Sequence, residues 1–545
     1  MHPANATYLG KTDDRVKSPN YFIVVKSWGG SDRYFAMKPV QNPTHNFTTG
    51  LGKIKATPQK ITPEEGQSSI GSMSFSLLDK NSRVTALLSN AIRKKQVELW
   101  AGYDGIDEDK YIKIATNLVD DIDCAENFTA YAFKTADIQR SIKTKVFKAK
   151  VTSLTAQLNQ GATSATAADT ASFLTVVHPS LGTCGYIRID DEVIKWTAKG
   201  GTSFTIVRGQ FGTTDVQHSN GAEVKEVIAF QEHPVAVALK VLTSTGAGTN
   251  GAYDTLPAHW ALGIDDALVN VSTWVSEATE WLEFKASDLT YGYQFRFLYD
   301  EEVEGKKFVE DEILKPLNAY APIGADGSLS FKAFAPPVPF VDLPAFDEKT
   351  ATVKSMSGGL SSVINVALFE YDHDLIQGKH LSNIEYSDGA SISAHGQSDT
   401  FKVSSKGIRT DLNGADIILN RWNRIKQRYS RPVPTAQTKA FYSRHLYEAG
   451  ELVSFSHQKL PDMAAGSKGL IDKVMEIVNK GFDIMGGAVT YDFMLTGFGV
   501  RYALYGPDSL PAYGSATDEQ KKRYGWYADA NGKVNGGTEE GFRLA

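Results

Sequence analysis

The chain has 545 residues, with 57 Lys plus Arg against 63 Asp plus Glu, a formal net charge of −6 and only 2 Cys. Its ordinary composition, 42% hydrophobic and 22% charged, excludes a disordered or fibrous chain. The weakly acidic balance lacks the dense basic footprint of a dedicated nucleic-acid binder, and two thiols, Cys124 and Cys184, make neither a disulfide framework nor a four-thiolate metal site.

At roughly 100–200 residues per domain the length suggests about three to five units. The start, MHPANATYLGKTDDRVK, has no apolar stretch of the secretory kind, and no run approaches the ~18 apolar residues of a spanning helix. A soluble protein that folds in the cytoplasm is expected.

In chain order, short apolar or alternating stretches at 21–26, 71–78, 96–103, 111–122 and 126–133 read as strands. One helix is expected over 81–95, from Val84, Leu87, Leu88 and Ile92. Residues 1–148 therefore read as a mostly antiparallel β-barrel domain. Small polar residues over 155–172 read as a linker or loose edge. A hairpin around Asp190 and Asp191 follows, then strands near 201–215 and 221–227, giving a small inserted β-module at 149–230.

Pro234 at a first helical turn, with Val235, Leu239 and Leu242 behind it, opens a helix. A second short one is expected around Phe308, Ile313, Leu314 and Leu317, within a helix-containing connecting domain at 231–345. Four prolines in 335–344 mark a boundary. Strand patterns at 362–371, 451–457, 469–478 and 486–496 place a second barrel at 346–500. Within it, 414–430 reads as an amphipathic helix whose Arg421, Arg424 and Arg428 form a solvated face. A tail at 501–545 drapes over other surfaces. The fold class expected is mainly β with α+β elements: two tube-like β-barrel domains, an inserted small β-module and a helix-containing connecting domain.

Catalytic patterns are missing: no GxSxG, HExxH, P-loop or GxGxxG occurs in a fitting context. Asp104, Asp107 and Asp109 read as a solvated turn rather than a calcium loop. His373 and His380, with Asp372 and Asp374, read as a polar loop rather than a metal site. His178, Cys184 and His218 could converge within the inserted module, but nothing in the sequence fixes their geometry, and no metal is expected there. Asp190, Asp191 and Glu192 read as turn residues, and so do Asp120, Asp121 and Asp123, not paired catalytic carboxylates. No enzyme, cofactor or resident metal is expected.

The string CGYIRIDDEVIKWTAKGGTSFTIVRGQFGTTDVQHSNGAEVKEV at 184–227 carries Arg208, Gly209, Gly212, Thr213, His218 and Gly221 in a pattern that resembles tail proteins of long-tailed bacteriophages. These residues are expected to shape turns or a contact. Stretches at 233–264, 306–337 and 449–477 resemble the tail-tip (baseplate) hub proteins of such phages and prophages, and 502–532 is similar to a C-terminal segment of tail proteins in prophages and transposable phages. The resemblance implies a homotrimer in the virion tail tip, two barrels per chain, adapting a sixfold tube to a threefold tip. It also implies a lumen for passing DNA, assembly in the host cytoplasm, and contacts with the distal tail protein, tail tube, tape-measure protein and central fibre. The alternatives are a hexameric distal tail protein with a carbohydrate-binding insert, and a host-surface glycan-degrading enzyme.

Overall fold

The computed structural model describes residues 18–497, apart from 57, 125–127, 336–342, 442–443, 464 and 484–486, together with a few positions beyond 510. The architecture is mainly β with α+β elements. Of the expected features, the N-terminal segment before 18, the centre of the proline-rich boundary and nearly all of the 501–545 tail lie outside the described residues.

Barrel one is built from β1 (Pro19–Trp28), β2 (Ser31–Ala36), β3 (Phe47–Thr49), β4 (Leu51–Ala56), β6 (Ser72–Leu78), β7 (Gln96–Tyr103), β8 (Ile112–Cys124) and β9 (Ala130–Ala136). Their order is β3-β2-β1-β7-β8-β9-β6-β4. The two edges of this sheet are one strand interrupted at Gly50. Its N–H donates to Ala36 O at 3.3 Å, and its carbonyl accepts from Leu78 N at 2.9 Å, so the sheet closes on itself. Gly50 sits at φ +129, where a side chain is strained, and a Cβ there would meet Leu78 Cβ at 3.3 Å. Tyr21, Phe22, Ile23, Val24 and Val25 of β1 are all buried, so both faces of that strand are covered.

Barrel two repeats the plan with fewer strands: β15 (Ala345–Phe346), β16 (Ala351–Ser357), β20 (Thr435–Phe441), β21 (Leu452–Asp462), β22 (Ser467–Asp483) and β23 (Ala488–Leu495). The order is β15-β21-β22-β23-β20-β16. Again two consecutive segments, β15 and β16, occupy opposite edges, one parallel to β21 and one antiparallel to β20. The barrels are joined by β5 (Gln59–Thr62), which continues from β4 and pairs with Asn479 and Lys480 of β22. One apolar cluster runs through both, from Tyr21 and Phe133 to Phe346 and Tyr491.

The inserted module comprises β10 (Gly182–Ile189), β11 (Glu192–Lys199), β12 (Ser203–Val207) and β13 (Glu223–Glu232) with short edge strands. The 155–172 segment packs firmly instead of forming a linker. Leu158, Ala165 and Ala167 are buried in the module's core, because small side chains allow its strand Ser164–Thr166 to sit close on β12. β13 pairs β10 through residues 224–227 and then β14 (Phe295–Tyr299) through residues 228–232. It therefore belongs to both the module and the connecting unit. That unit also holds α1 (Pro234–Thr243), capped by His233 Nδ1 accepting from Val235 N at 3.2 Å, and α2 (Val271–Trp281).

Three other expectations are corrected. The helix at 81–95 shrinks to Arg83–Leu87, because Asn81 and Ser82 adopt positive φ (58° and 55°) and break the register. Residues 346–500 are not one barrel: β17 (Val366–Asp374), β18 (Lys379–Ser387), β19 (Phe401–Ser404) and α3 (Gly414–Tyr429) form a layer between β16 and β20. Its Phe369, Val403, Ile418 and Trp422 share a core with the connecting unit.

The arginine face of α3 is not solvated. Arg421 and Arg428 are each 3% exposed, and every one of the three reaches a different unit. Arg421 Nη2 donates to Glu64 O, just after β5, at 2.6 Å. Arg424 donates to Phe334 O at 2.8 Å and Trp281 O at 3.1 Å in the connecting unit. Arg428 forms an ion pair with Glu476 of β22 at 2.5 Å and lies 4.5 Å from the centre of the Phe334 ring. Tyr320 also donates to Glu476. Burial pushes Arg421 down to about 9. Burial works against Arg428 too, but Glu476 and Tyr429 more than offset it and hold its guanidinium above the ordinary value.

Breaking a buried pair on one side strands a charge. Arg428→Ala is therefore expected to cost about 3–5 kcal/mol in chemical denaturation. The double variant Arg428→Met with Glu476→Gln, which keeps an acceptor for Tyr320, should recover most of that loss.

Candidate functional site

The residues singled out in the inserted module come together at one place. The turn of Asp190, at φ 50°, and Asp191 sets Glu192 at the start of β11, fully buried. Facing it, β12 runs out into Arg208, which grips the Glu192 carboxylate with two bonds, Nε to Oε1 at 2.8 Å and Nη2 to Oε2 at 2.6 Å. The same guanidinium donates to Asn159 O at 2.8 Å and Val216 O at 2.5 Å, and meets Asp215 at 2.9 Å. His218 places Nδ1 2.7 Å from Asp190 and Nε2 2.9 Å from Glu192. Both ring nitrogens are thereby occupied.

Gly209 adopts φ 60° so that its N–H donates to Glu192 Oε1 at 2.8 Å, which explains the glycine after the arginine. Thr213 Oγ1 accepts from Val193 N at 3.0 Å and donates to Gln210 O at 2.8 Å, pinning the turn to β11. Gly212 and Gly221 also hold positive φ. Burial alone would raise the Glu192 carboxyl. Hydrogen bonds from Arg208, His218 and Gly209 outweigh it and keep the group below its ordinary value.

This ionic knot holds up Phe211, at φ 53°, whose ring lies 4.9 Å from Tyr186 and 5.7 Å from the Arg296 guanidinium. Phe211 packs in one cluster with Leu375 and Ile376 at the tip of the β17–β18 hairpin. The chemistry available is that of a lock: the motif fixes a turn, and the turn docks the module.

His178 and Cys184 lie apart from this knot. His178 is buried and pushed down to about 4 by that burial, and Cys184 is buried beside Tyr186 and Val193. His373 and His380 are not in a loop but face each other across β17 and β18, ring centres 5.1 Å apart. Burial pushes His373 down to about 4. Asp104 pairs with Lys38 at 3.0 Å, and Asp107 accepts from Asn42 at 2.7 Å. Asp121 and Asp123 stand exposed at the end of β8, beside Lys134, and Asp120 pairs with Arg140 at 3.1 Å. Among the described residues no three His, Cys, Asp or Glu groups are placed to hold a metal ion, and no helix is long and apolar enough to cross a membrane.

Sequence reasoning missed Asp215 and the Asn159 carbonyl as partners of Arg208. Asp215 seven residues after an arginine, across a Gly-punctuated turn, was the available signal.

No family model matches the chain, and no curated protein matches it. Among solved structures it is similar to the tail protein from Neisseria meningitidis MC58, at 10% identity and TM-score 0.39, over 88% of this chain and 96% of that one. It is similar to the 43 kDa tail protein of prophage MuSo2 from Shewanella oneidensis at 9% identity and TM-score 0.38, over 88% and 98%. It is also similar to prophage tail protein gp18 from Listeria monocytogenes EGD-e at 10% identity and TM-score 0.31, over 87% and 94%.

Two predictions follow from the knot. Arg208→Ala leaves Glu192 buried without its cation, so cleavage by a limiting protease within 209–218 should rise at least tenfold, while Lys349→Ala on a distant exposed turn leaves it unchanged. Because Glu192 is held below its ordinary value of 4.5, its contribution is fully present above that value and is lost as pH falls through the lowered one. Amide exchange in residues 209–216 should therefore stay constant relative to the barrels from neutral pH to about 5 and accelerate only in stronger acid.

Proposed function

We propose that this chain is a structural tail protein of a long-tailed bacteriophage or prophage, acting as the trimeric tail-tip hub. The observation that carries the reading is the pair of barrels in one chain, alike in strand order and each with two consecutive segments, β3 and β4 or β15 and β16, on its opposite edges. Three chains then present six barrels, which fit a sixfold tube above while the remaining layers supply a threefold tip below. The tail-like motif at 184–227 supports the same reading, since its residues build a rigid docking element.

In this role the protein lines a lumen through which DNA passes, and contacts the tail tube, distal tail protein, tape-measure protein and central fibre. It needs no cofactor and performs no catalysis. A distal tail protein would need a single barrel per chain, and the second barrel has no place in it.

Native mass spectrometry with negative-stain imaging tests the assignment. The expected species has a mass of about 178 kDa, three times 59.5 kDa, and images as a pierced ring with pseudo-sixfold outline. A closed hexamer would transfer the chain to the distal-tail role.

A further inference from the structure

The hydrogen-bonded ladders of the two barrels match over one stretch of four strands. In barrel one a rung runs Lys55, Ser74, Lys134, Asp121 across β4, β6, β9 and β8. In barrel two the rung runs Ser355, Gln437, Asp492, Asn479 across β16, β20, β23 and β22. Both ladders skip one residue at the same place, Asp120 in β8 and Val478 in β22. Both end their neighbouring cover alike: Val119 bonds with Lys94 and Lys95, and Ile477 bonds with Gly450 and Glu451. The offset is 358 between β8 and β22 (121 to 479), and 300 between β4 and β16 (55 to 355).

Past that point β22 accepts the strand that leaves barrel one, with Gln59 opposite Lys480 and Lys60 opposite Asn479. The matching stretch of β8, residues 121–124, has no strand on its outer edge among the described residues. Its amides are held provisionally: Ile122 N–H donates to the carboxylate of its own neighbour Asp121 at 2.9 Å. Asp121 and Asp123 are 60% and 52% exposed, and Cys124 is exposed. The residues matching Gln59 and Lys60 are Gly359 and Leu360, just past the end of β16, where the chain turns and Leu360 is left 78% exposed.

We infer that the outer edge of β8 at residues 121–124 is the seat for the end of β16, residues 357–358, from a second copy of this chain. This rests on the trimeric reading above, and it says which strands form the seam. The internal junction provides the register: its pairs set Gly359 opposite Ile122 and Leu360 opposite Asp121. Continuing that antiparallel ladder back along the extended end of β16 sets Gly358 opposite Asp123 and Ser357 opposite Cys124.

The pair of Gly358 and Asp123 has a counterpart at the internal junction. There, a Cβ on Gly481 would meet Thr490 Oγ1 of its own barrel at 2.7 Å and Pro58 Cγ of the arriving strand at 3.1 Å, so the glycine leaves room on both sides. At the seam the equivalent positions are Asp123 and Gly358, with the small residue now on the other strand. Gly359, at φ +67, turns the chain inward toward α3, so the seam is shorter than the internal junction. The exposed Leu360 lies at its end.

The test is Ser357→Cys in the full chain, with the native Cys124 as its partner; the other thiol, Cys184, is buried. Mild oxidation should yield covalent dimers and trimers on a non-reducing gel, with a 124–357 disulfide identified by peptide mass and abolished by adding Cys124→Ser. Native mass is read on the same sample before oxidation. A trimer without the disulfide overturns this seam and leaves the hub reading standing. Absence of both, even with oxidant present to trap transient contacts, overturns the two together. A disulfide that forms within one chain, leaving the mass unchanged, also overturns the seam. Should Ser357→Cys fail to fold, Gly358→Cys with Asp123→Cys, in a Cys124→Ser background, probes the adjacent rung by the same readout.

Discussion

A guanidinium removed from water draws acceptors to itself, and those of α3 draw in three other parts of the protein. Arg421 takes a carbonyl from the turn after β5, Arg424 takes two from the connecting unit, and Arg428 takes a carboxylate from barrel two. None of these partners lies within α3's own layer. The charges thus act as a test of assembly: each unit must be in place before its arginine gains these partners. Apolar packing alone would tolerate sliding between layers, whereas these bonds fix direction and distance.

The barrels show a second economy. Each has two consecutive segments on opposite edges, and the chain that leaves the second of them is then available for use elsewhere. In barrel one it becomes the link to barrel two. In barrel two it turns inward at Gly359 and opens the layer that carries α3. An exposed sheet edge invites pairing, so closing each barrel leaves few places where another chain can add.

Much of this was legible in the residues. Alternation and β-branched runs located most strands of barrel one, Pro234 located a helix, and the Gly-punctuated string at 184–227 marked a rigid turn. What the pattern could not show was partnership across the chain. Arg421, Arg424 and Arg428 lie on one side of a helix, as solvated residues would, and only the layers packed on that side bury Arg421 and Arg428 and bond all three. Similarly, 155–172 looked too small and polar for a core, yet Ala165 and Ala167 fill narrow space under β12 that larger side chains would not fit. The split of 346–500 was hidden because an inserted layer leaves the flanking strands of a barrel with unchanged local patterns. The internal repeat was hidden for the same reason: it resides in hydrogen-bond register and a shared bulge, while the side chains at matching rungs differ.

The strand β13 belongs to two sheets at once, held by β10 along its first half and by β14 along its second. A pull on the inserted module is therefore carried along the strand's own axis into the connecting unit. Hydrogen bonds loaded lengthwise share the strain as a set, whereas a hairpin peeled from its end gives way one bond after another. The module is fastened like a splice in a rope, so traction at its outer tip moves the body of the protein before it tears the module away.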